Sequence, residues 1–226
     1  MMLAPPAPVV SACGRLAPAA AVFVFLAPIP TMQQIRQDRA VGSLPLLPYS
    51  SMIASTFIWV TYGIMKREPS IWSCNSVGLV LGALYFLNFV KFAPKAAPTF
   101  PGSISQHFQG IMAVIASTLL LAKSPLQSPV SLIGTAGVLF CIAMFASPLA
   151  ALKTVVATRS AKSIPLPFTM ASLINCGLWS IVGIWGMRDM NIIVPNLLGL
   201  TFSLIQVALK LFYGSGPPLK TADLPL

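Results

Sequence analysis

The chain has 226 residues, 56% of them hydrophobic and 8% charged, with a mean hydropathy of +0.84 and a net charge of +10. A soluble domain carries about a quarter of its residues as charges on a polar skin. Fourteen bases and four acids cannot supply one here, so lipid is the natural solvent for most of the surface. The bases are scattered through short loops and form no clustered patch, which excludes a nucleic-acid-binding face.

Uncharged stretches run over 16–35, 40–65, 69–90, 96–122, 124–152, 163–187 and 190–209. Each reaches the ~20 residues that a helix needs to cross a ~30 Å hydrocarbon core. Only helices and closed barrels satisfy their backbone groups in lipid, and these stretches lack the alternation of barrel strands. Seven transmembrane helices are therefore predicted, here called spans 1 to 7. A cleaved leader peptide is the competing reading of span 1. The lack of a basic start, and a motif at its far end that recurs later, favour a retained helix.

In chain order, span 1 carries Val24 and Pro28, with Arg15 near its outer end positioned to snorkel to the headgroups. Span 2 opens on Pro45 and Pro48 and holds Trp59 in mid-course. Span 3 places Asn75 and Gly78 a few residues into an apolar helix. A Pro-rich connector, 93–102, leads to span 4, where His107 reads as a structural polar residue rather than a ligand. Span 5 holds Met144 and Pro148, span 6 Pro165 and Trp179, and span 7 Asn196 and Gly199. The four cysteines, at 13, 74, 141 and 176, fall in or beside spans at no ligand spacing and read as small apolar residues.

The chain repeats itself. At an offset of 120, Phe25/Phe145, Pro28/Pro148, Arg39/Arg159, Ser43/Ser163, Pro45/Pro165, Trp59/Trp179 and Gly63/Gly183 are identical. One inserted residue in the following loop then pairs Asn75 with Asn196 and Gly78 with Gly199. The expected organisation is a first three-helix repeat over 9–93, a connector and linker helix over 94–124, a second repeat over 129–213 and a short tail over 214–226. Three helices leave the chain on the opposite side, so one extra span restores the direction of entry. The result is an all-α membrane protein in a 3+1+3 arrangement with parallel repeats, a plan that transporters use.

Orientation follows from the loop bases. Nine (Arg36, Arg39, Lys91, Lys95, Lys153, Arg159, Lys162, Lys210, Lys220) lie on one side against five (Arg15, Lys66, Arg67, Lys123, Arg188) on the other. This sets the N-terminus outside and the C-terminus in the cytosol, with the plasma membrane as the favoured location. All four acids, Asp38, Glu68, Asp189 and Asp223, fall in loops or the tail. A proton- or sodium-coupled carrier normally keeps an ionisable residue within the membrane, so uncoupled movement of a neutral solute is expected. No nucleophile–base pair, phosphate loop or metal cluster appears, so no enzymatic chemistry, metal or cofactor is expected.

Single residues leave two readings each. Pro48 and Pro165 suit ordinary helix starts, whereas the repeated pair Pro28 and Pro148 suits hinges. Asn75 and Asn196 serve either as helix–helix glue or as a matched pair of amides for hydroxyl groups. Trp59 and Trp179 serve either as interfacial anchors or, being mid-span, as walls for the C–H face of a sugar ring.

The stretches FLAPIPTMQQI, LPYSSMIASTFIWVTYG, CNSVG, MFASPLAALKTVVATRSAKSIP, NCGLWSIVG and VPNLLG together resemble the SWEET family of sugar transporters, relatives of the half-size bacterial SemiSWEETs. The resemblance covers spans 1–3 and 5–7. It implies facilitative, bidirectional, uncoupled sugar transport by alternating access. By position it assigns Pro28, Pro48, Pro148 and Pro165 to a gate tetrad, and Asn75, Asn196 and Trp179 to sugar contact. It assigns Val24 and Met144, each four residues before a helix proline, to the pocket lining. The family spacing selects Pro48, while the gapless repeat pairs Pro45 with Pro165. Trp59 departs from the smaller residue common in plant members, and a pocket with two indoles favours a monosaccharide such as glucose over sucrose. The family often forms homo-oligomers. A PQ-loop-type amino-acid carrier is the nearest alternative, but Ile29 and Leu149 follow the prolines where that family has Gln. A seven-helix receptor or scaffold would show no internal repeat.

Overall fold

The computed structural model describes residues 5–94, 102–125, 128–144, 146–214 and 216, with the side chains at 146–148, 150 and 151 outside that description. All regular structure among these residues is helical. The helices are α1 (Ala7–Leu26), α2 (Ile29–Asp38), α3 (Leu47–Lys66), α4 (Pro69–Phe92), α5 (Ile104–Ala122), α6 (Pro129–Met144), α7 (Ala146–Thr158), α8 (Leu166–Ile181) and α9 (Met190–Tyr213). A π-helical turn, Val182–Met187, continues α8. Seven spans account for them, with α1 and α2 in span 1 and α6 and α7 in span 5.

Five segments are long and apolar enough by themselves to cross a bilayer: Ala7–Asp38, Pro69–Phe92, Ile104–Ala122, Leu166–Met187 and Met190–Tyr213. The helix α3 has 20 residues but carries Tyr49, Ser50, Ser51, Thr56, Thr61 and Tyr62. Its hydroxyls return to its own backbone, Thr56 Oγ1 donating to Met52 O at 2.6 Å and Thr61 Oγ1 to Phe57 O at 2.9 Å. Such back-bonds make polar residues tolerable in an apolar setting.

The chain divides into two compact units, one of Ala21–Gly137 and one of Met1–Ala20 with Val138–Leu226. In the first, α4 packs on both α2 and α3, and α5 packs on α3. The core gathers Ile35, Leu46, Tyr49, Tyr85, Phe86 and Phe89. Arg36 Nε donates to Asn88 Oδ1 at 2.7 Å, fastening α2 to α4 at their shared end. The linker helix α5 starts with a capping box: Gln106 N donates to Ser103 Oγ, and Ser103 N to Gln106 Oε1. One residue on, buried His107 places Nδ1 2.9 Å from Ser50 Oγ, pinning the linker to the first turn of α3. A structural role for His107 accords with that contact.

In the second unit α9 packs on both α7 and α8, the arrangement that α4 has with α2 and α3. One buried cluster there sets Val155, Ala161 and Ile164 against Leu209 and Tyr213. Lys210 Nζ donates to the carbonyls of Ala161 (2.7 Å) and Ile164 (3.2 Å), and Ala161 N donates to Gly214 O at 3.0 Å.

The repeat extends to individual hydrogen bonds. Glu68 N donates to Gly63 O at 2.9 Å, and Asp189 N to Gly183 O at 3.1 Å. Ile71 N then donates to Glu68 O and Ile192 N to Asp189 O. Arg67 and Arg188 both take the left-handed conformation at these corners, as do Arg39 and Arg159 one loop earlier. The inserted residue, expected in the loop, lies instead in the π turn Val182–Met187 at the end of α8. An i→i+5 turn absorbs one extra residue while the helix continues, so Gly183 keeps its corner and the next helix keeps its register. Both glycines allow the corner to close. A Cβ on Gly63 would lie 2.7 Å from Trp72 N, and one on Gly183 would lie 3.0 Å from Ile193 Cγ1.

Gly63→Ala should therefore cost about 1–3 kcal/mol, whereas Gly14→Ala, with nothing within 4 Å of its Cβ, should be tolerated. Thermal denaturation in detergent would show a lower midpoint for the first only; equal midpoints would contradict the packing described.

Candidate functional site

The two asparagines occupy equivalent places and behave alike. Asn75 Nδ2 donates to Ile71 O at 2.8 Å on α4, and Asn196 Nδ2 donates to Ile192 O at 2.8 Å on α9. Both side chains are half-buried. Each back-bond uses one amide N–H and fixes the amide plane. It does not use Oδ1, the acceptor a hydroxylated ligand needs, while the Asn75 amide also donates to Cys74 Sγ at 3.6 Å. The residue before each differs: Cys74 donates its thiol to Ser70 O at 3.2 Å, while Pro195 is buried and has no backbone N–H.

One turn beyond Asn75, Gly78 lies under the ring of Phe25. A Cβ there would come within 2.7 Å of Phe25 Cε2 and 2.9 Å of Thr56 Cγ2. This brings span 1 beside the helix that carries Asn75, with half-buried Val24 next to Phe25. The indole of Trp59 is half-buried, stacks edge-on against Tyr62 at 5.6 Å, and lies across Gly137, whose Cβ would be 3.1 Å from Trp59 Cζ2. Trp179 is buried near the end of α8. Met144 ends α6 with 40% of its surface exposed.

The prolines punctuate helix ends. Pro28 separates α1 from α2, and the tightened turn recovers the carbonyl it cannot serve: Ala27 N donates to Val24 O at 3.2 Å. The next carbonyl, that of Phe25, accepts from Tyr85 Oη at 3.1 Å. Pro48 is the second residue of α3, Pro45 lies upstream of that helix, and Pro165 caps α8; all three are exposed. Pro148 lies on α7, and its side chain falls outside the described residues.

Asp38 ends α2, while Glu68 and Asp189 cap the starts of α4 and α9, and Asp189 Oδ1 accepts from Asn191 N at 3.0 Å. Asp223 lies outside the described residues. Among those described, the acids thus sit at helix ends.

Sequence reasoning missed Thr56 and Tyr85, both buried. Read singly, each looks like ordinary helix packing. The repeat did not single out Tyr85 either, since its mate is Gln206, and the mate of its neighbour Tyr49 is Thr169. The rings of Tyr49 and Tyr85 meet edge-on at 6.2 Å, and Thr169 Oγ1 donates to Gln206 Oε1 at 2.9 Å. An aromatic pair in one repeat is thus a hydrogen-bonded pair in the other.

The family model for sugar efflux transporters for intercellular exchange matches twice, over residues 11–97 and 131–216. The bidirectional sugar transporter SWEET13 of Oryza sativa subsp. japonica is 29% identical over 197 residues, covering 86% of this chain and 66% of its own. SWEET9 of Arabidopsis thaliana is 30% identical over 193 residues, covering 84% of this chain and 74% of its own. This chain spans just under two thirds of the length of SWEET13 and 64% of rice SWEET12. A solved structure of a eukaryotic SWEET transporter has a TM-score of 0.80, covering 92% of this chain and 98% of that one at 22% identity; the fold is shared.

If the asparagines serve a ligand rather than helix packing, Asn75→Ala and Asn196→Ala should each change stability by no more than about 1 kcal/mol, because each described bond is local to its own helix. Thermal midpoints of the purified variants measure this. A large drop in either would assign that amide to helix–helix packing.

Proposed function

Since the chain belongs to the SWEET family of sugar transporters, we propose that it carries sugar across a membrane passively and in both directions, by alternating access. The carrying observation is the matched amide pair. Asn75 and Asn196 stand at repeat-equivalent positions with the same 2.8 Å back-bond, which leaves the amide oxygen of each to accept from sugar hydroxyls. In this reading Trp59 and Trp179 offer aromatic faces to the ring, and Val24 and Met144 limit the size of what is admitted. The prolines at 28 and 148 bend their spans as the gates exchange, since a proline inside a helix removes a backbone hydrogen bond and loosens the turn around it. Those at 48 and 165 fix where α3 and α8 begin at the same gate.

With a bulky indole at the equivalent position of each repeat, glucose is preferred to sucrose in this reading. The position of the described acids at helix ends supports movement without a coupling ion. The excess of loop bases supports a C-terminus in the cytosol, and the plasma membrane is the location we favour.

The test is uptake of a labelled sugar panel by purified protein in liposomes. Glucose should enter severalfold faster than sucrose, to the same extent with and without a pH gradient, and Asn196→Ala should abolish entry while the protein stays in the membrane. Sucrose entering as fast as glucose would overturn the size preference. Accumulation driven by the pH gradient would overturn the uncoupled mechanism. Amino-acid uptake without sugar uptake would overturn the substrate class.

A further inference from the structure

A single side chain touches both proline turns of the first repeat. Tyr85, 5% exposed on α4, donates from Oη to Phe25 O at 3.1 Å, three residues before Pro28. Its ring meets that of Tyr49, the residue after Pro48, at 6.2 Å and 68°. The same helix carries Asn75 ten residues earlier, ~15 Å along its axis. Phe25 in turn lies over Gly78, one turn from Asn75. The break at Pro28, the start of α3 and the asparagine-bearing helix therefore converge on one phenol.

The physics of the contact is specific. A carbonyl loosened by a nearby proline inside lipid needs a partner from a neighbouring helix. Tyr85 supplies it to Phe25, and any bend at Pro28 that moves this carbonyl relative to α4 must stretch or break the bond. The bond thus stabilises one geometry of the break over others, and a contact that differs between two states shifts their balance. In the second unit the mate of Tyr85, Gln206, spends its Oε1 on Thr169, whose hydroxyl also lies 3.2 Å from Pro165 O. There the contact reaches the start of α8 through side chains alone.

Resting on the transport reading above, we propose that Tyr85 is a positioning residue of the transport cycle. By holding the Phe25 carbonyl at the Pro28 break, its hydroxyl sets the balance between the two access states.

Tyr85→Phe removes the hydroxyl and keeps the ring against Tyr49. Losing one neutral hydrogen bond shifts an equilibrium by roughly 5-fold. For a passive carrier, such a shift moves the half-saturation constants at the two faces in opposite directions. The ratio of the two constants, measured as glucose entry and exit in oriented proteoliposomes, should change about 3- to 5-fold. A variant that merely folds less well lowers the maximal rate in both directions and leaves the ratio alone. In detergent, deuterium exchange at the amides of Ala27, Ile29, Thr31 and Met32 should quicken about 5-fold in Tyr85→Phe and stay at the parent rate in Gln206→Leu. An unchanged ratio or unchanged exchange overturns the proposal. Absence of sugar flux in the parent protein would overturn the transport reading instead, while the exchange measurement still decides whether the latch exists.

Discussion

Inside a bilayer every backbone N–H and C=O needs a partner within the protein, and this chain breaks its own helices with proline against that demand. The turn at Pro28 shows how. Val24 O is recovered by the tightened turn to Ala27 N, Phe25 O by the phenol of Tyr85, and Pro28 O by Met32 N at 3.0 Å. A break whose carbonyls find such partners can persist in lipid, and one held by a single distant hydroxyl can also be released. Polar residues elsewhere follow the same rule: hydroxyls on α3 and both paired asparagines bond back to carbonyls one turn earlier.

The repeats meet a common plan with different chemistry. Their corners agree hydrogen bond by hydrogen bond, and the third helix of each packs on the other two. The first core is aromatic and receives a linker helix pinned by His107 to Ser50. In the second, Lys210 closes on the carbonyls of Ala161 and Ile164 beside a cluster of Val155, Ala161 and Ile164 with Tyr213. Duplication conserves the backbone geometry that lipid enforces, whereas the filling of each core is free to diverge.

Much of this was legible in residue order because charge is so costly in lipid that its absence marks spans directly. The gaps between charges located α4, α8, α9 and the end of α5 to within a few residues, whereas the start of α5, set by the capping box of Ser103 and Gln106, lies eight residues inside its gap. Span 2 was legible by its gap although α3 alone is less apolar than the others; its polar groups are hidden by back-bonds that composition does not reveal. The extra residue of the second repeat was detected but misplaced, since residue order carries no sign of a switch from i→i+4 to i→i+5 bonding. Paired Asn, Trp and Pro were visible as identities. Tyr85 was not, because its mate is a different residue and its role rests on a backbone carbonyl sixty positions away.

The central claim is a passive carrier that exposes its sugar site to one side at a time. Sugar counterflow tests it most directly. Liposomes containing the protein, loaded with unlabelled glucose and diluted into a trace of labelled glucose, should accumulate label transiently above its external level and then release it. Liposomes with Asn75→Ala and Asn196→Ala together should not. Label that enters without overshoot would point to an open pore, and no entry at all would contradict sugar transport by this chain.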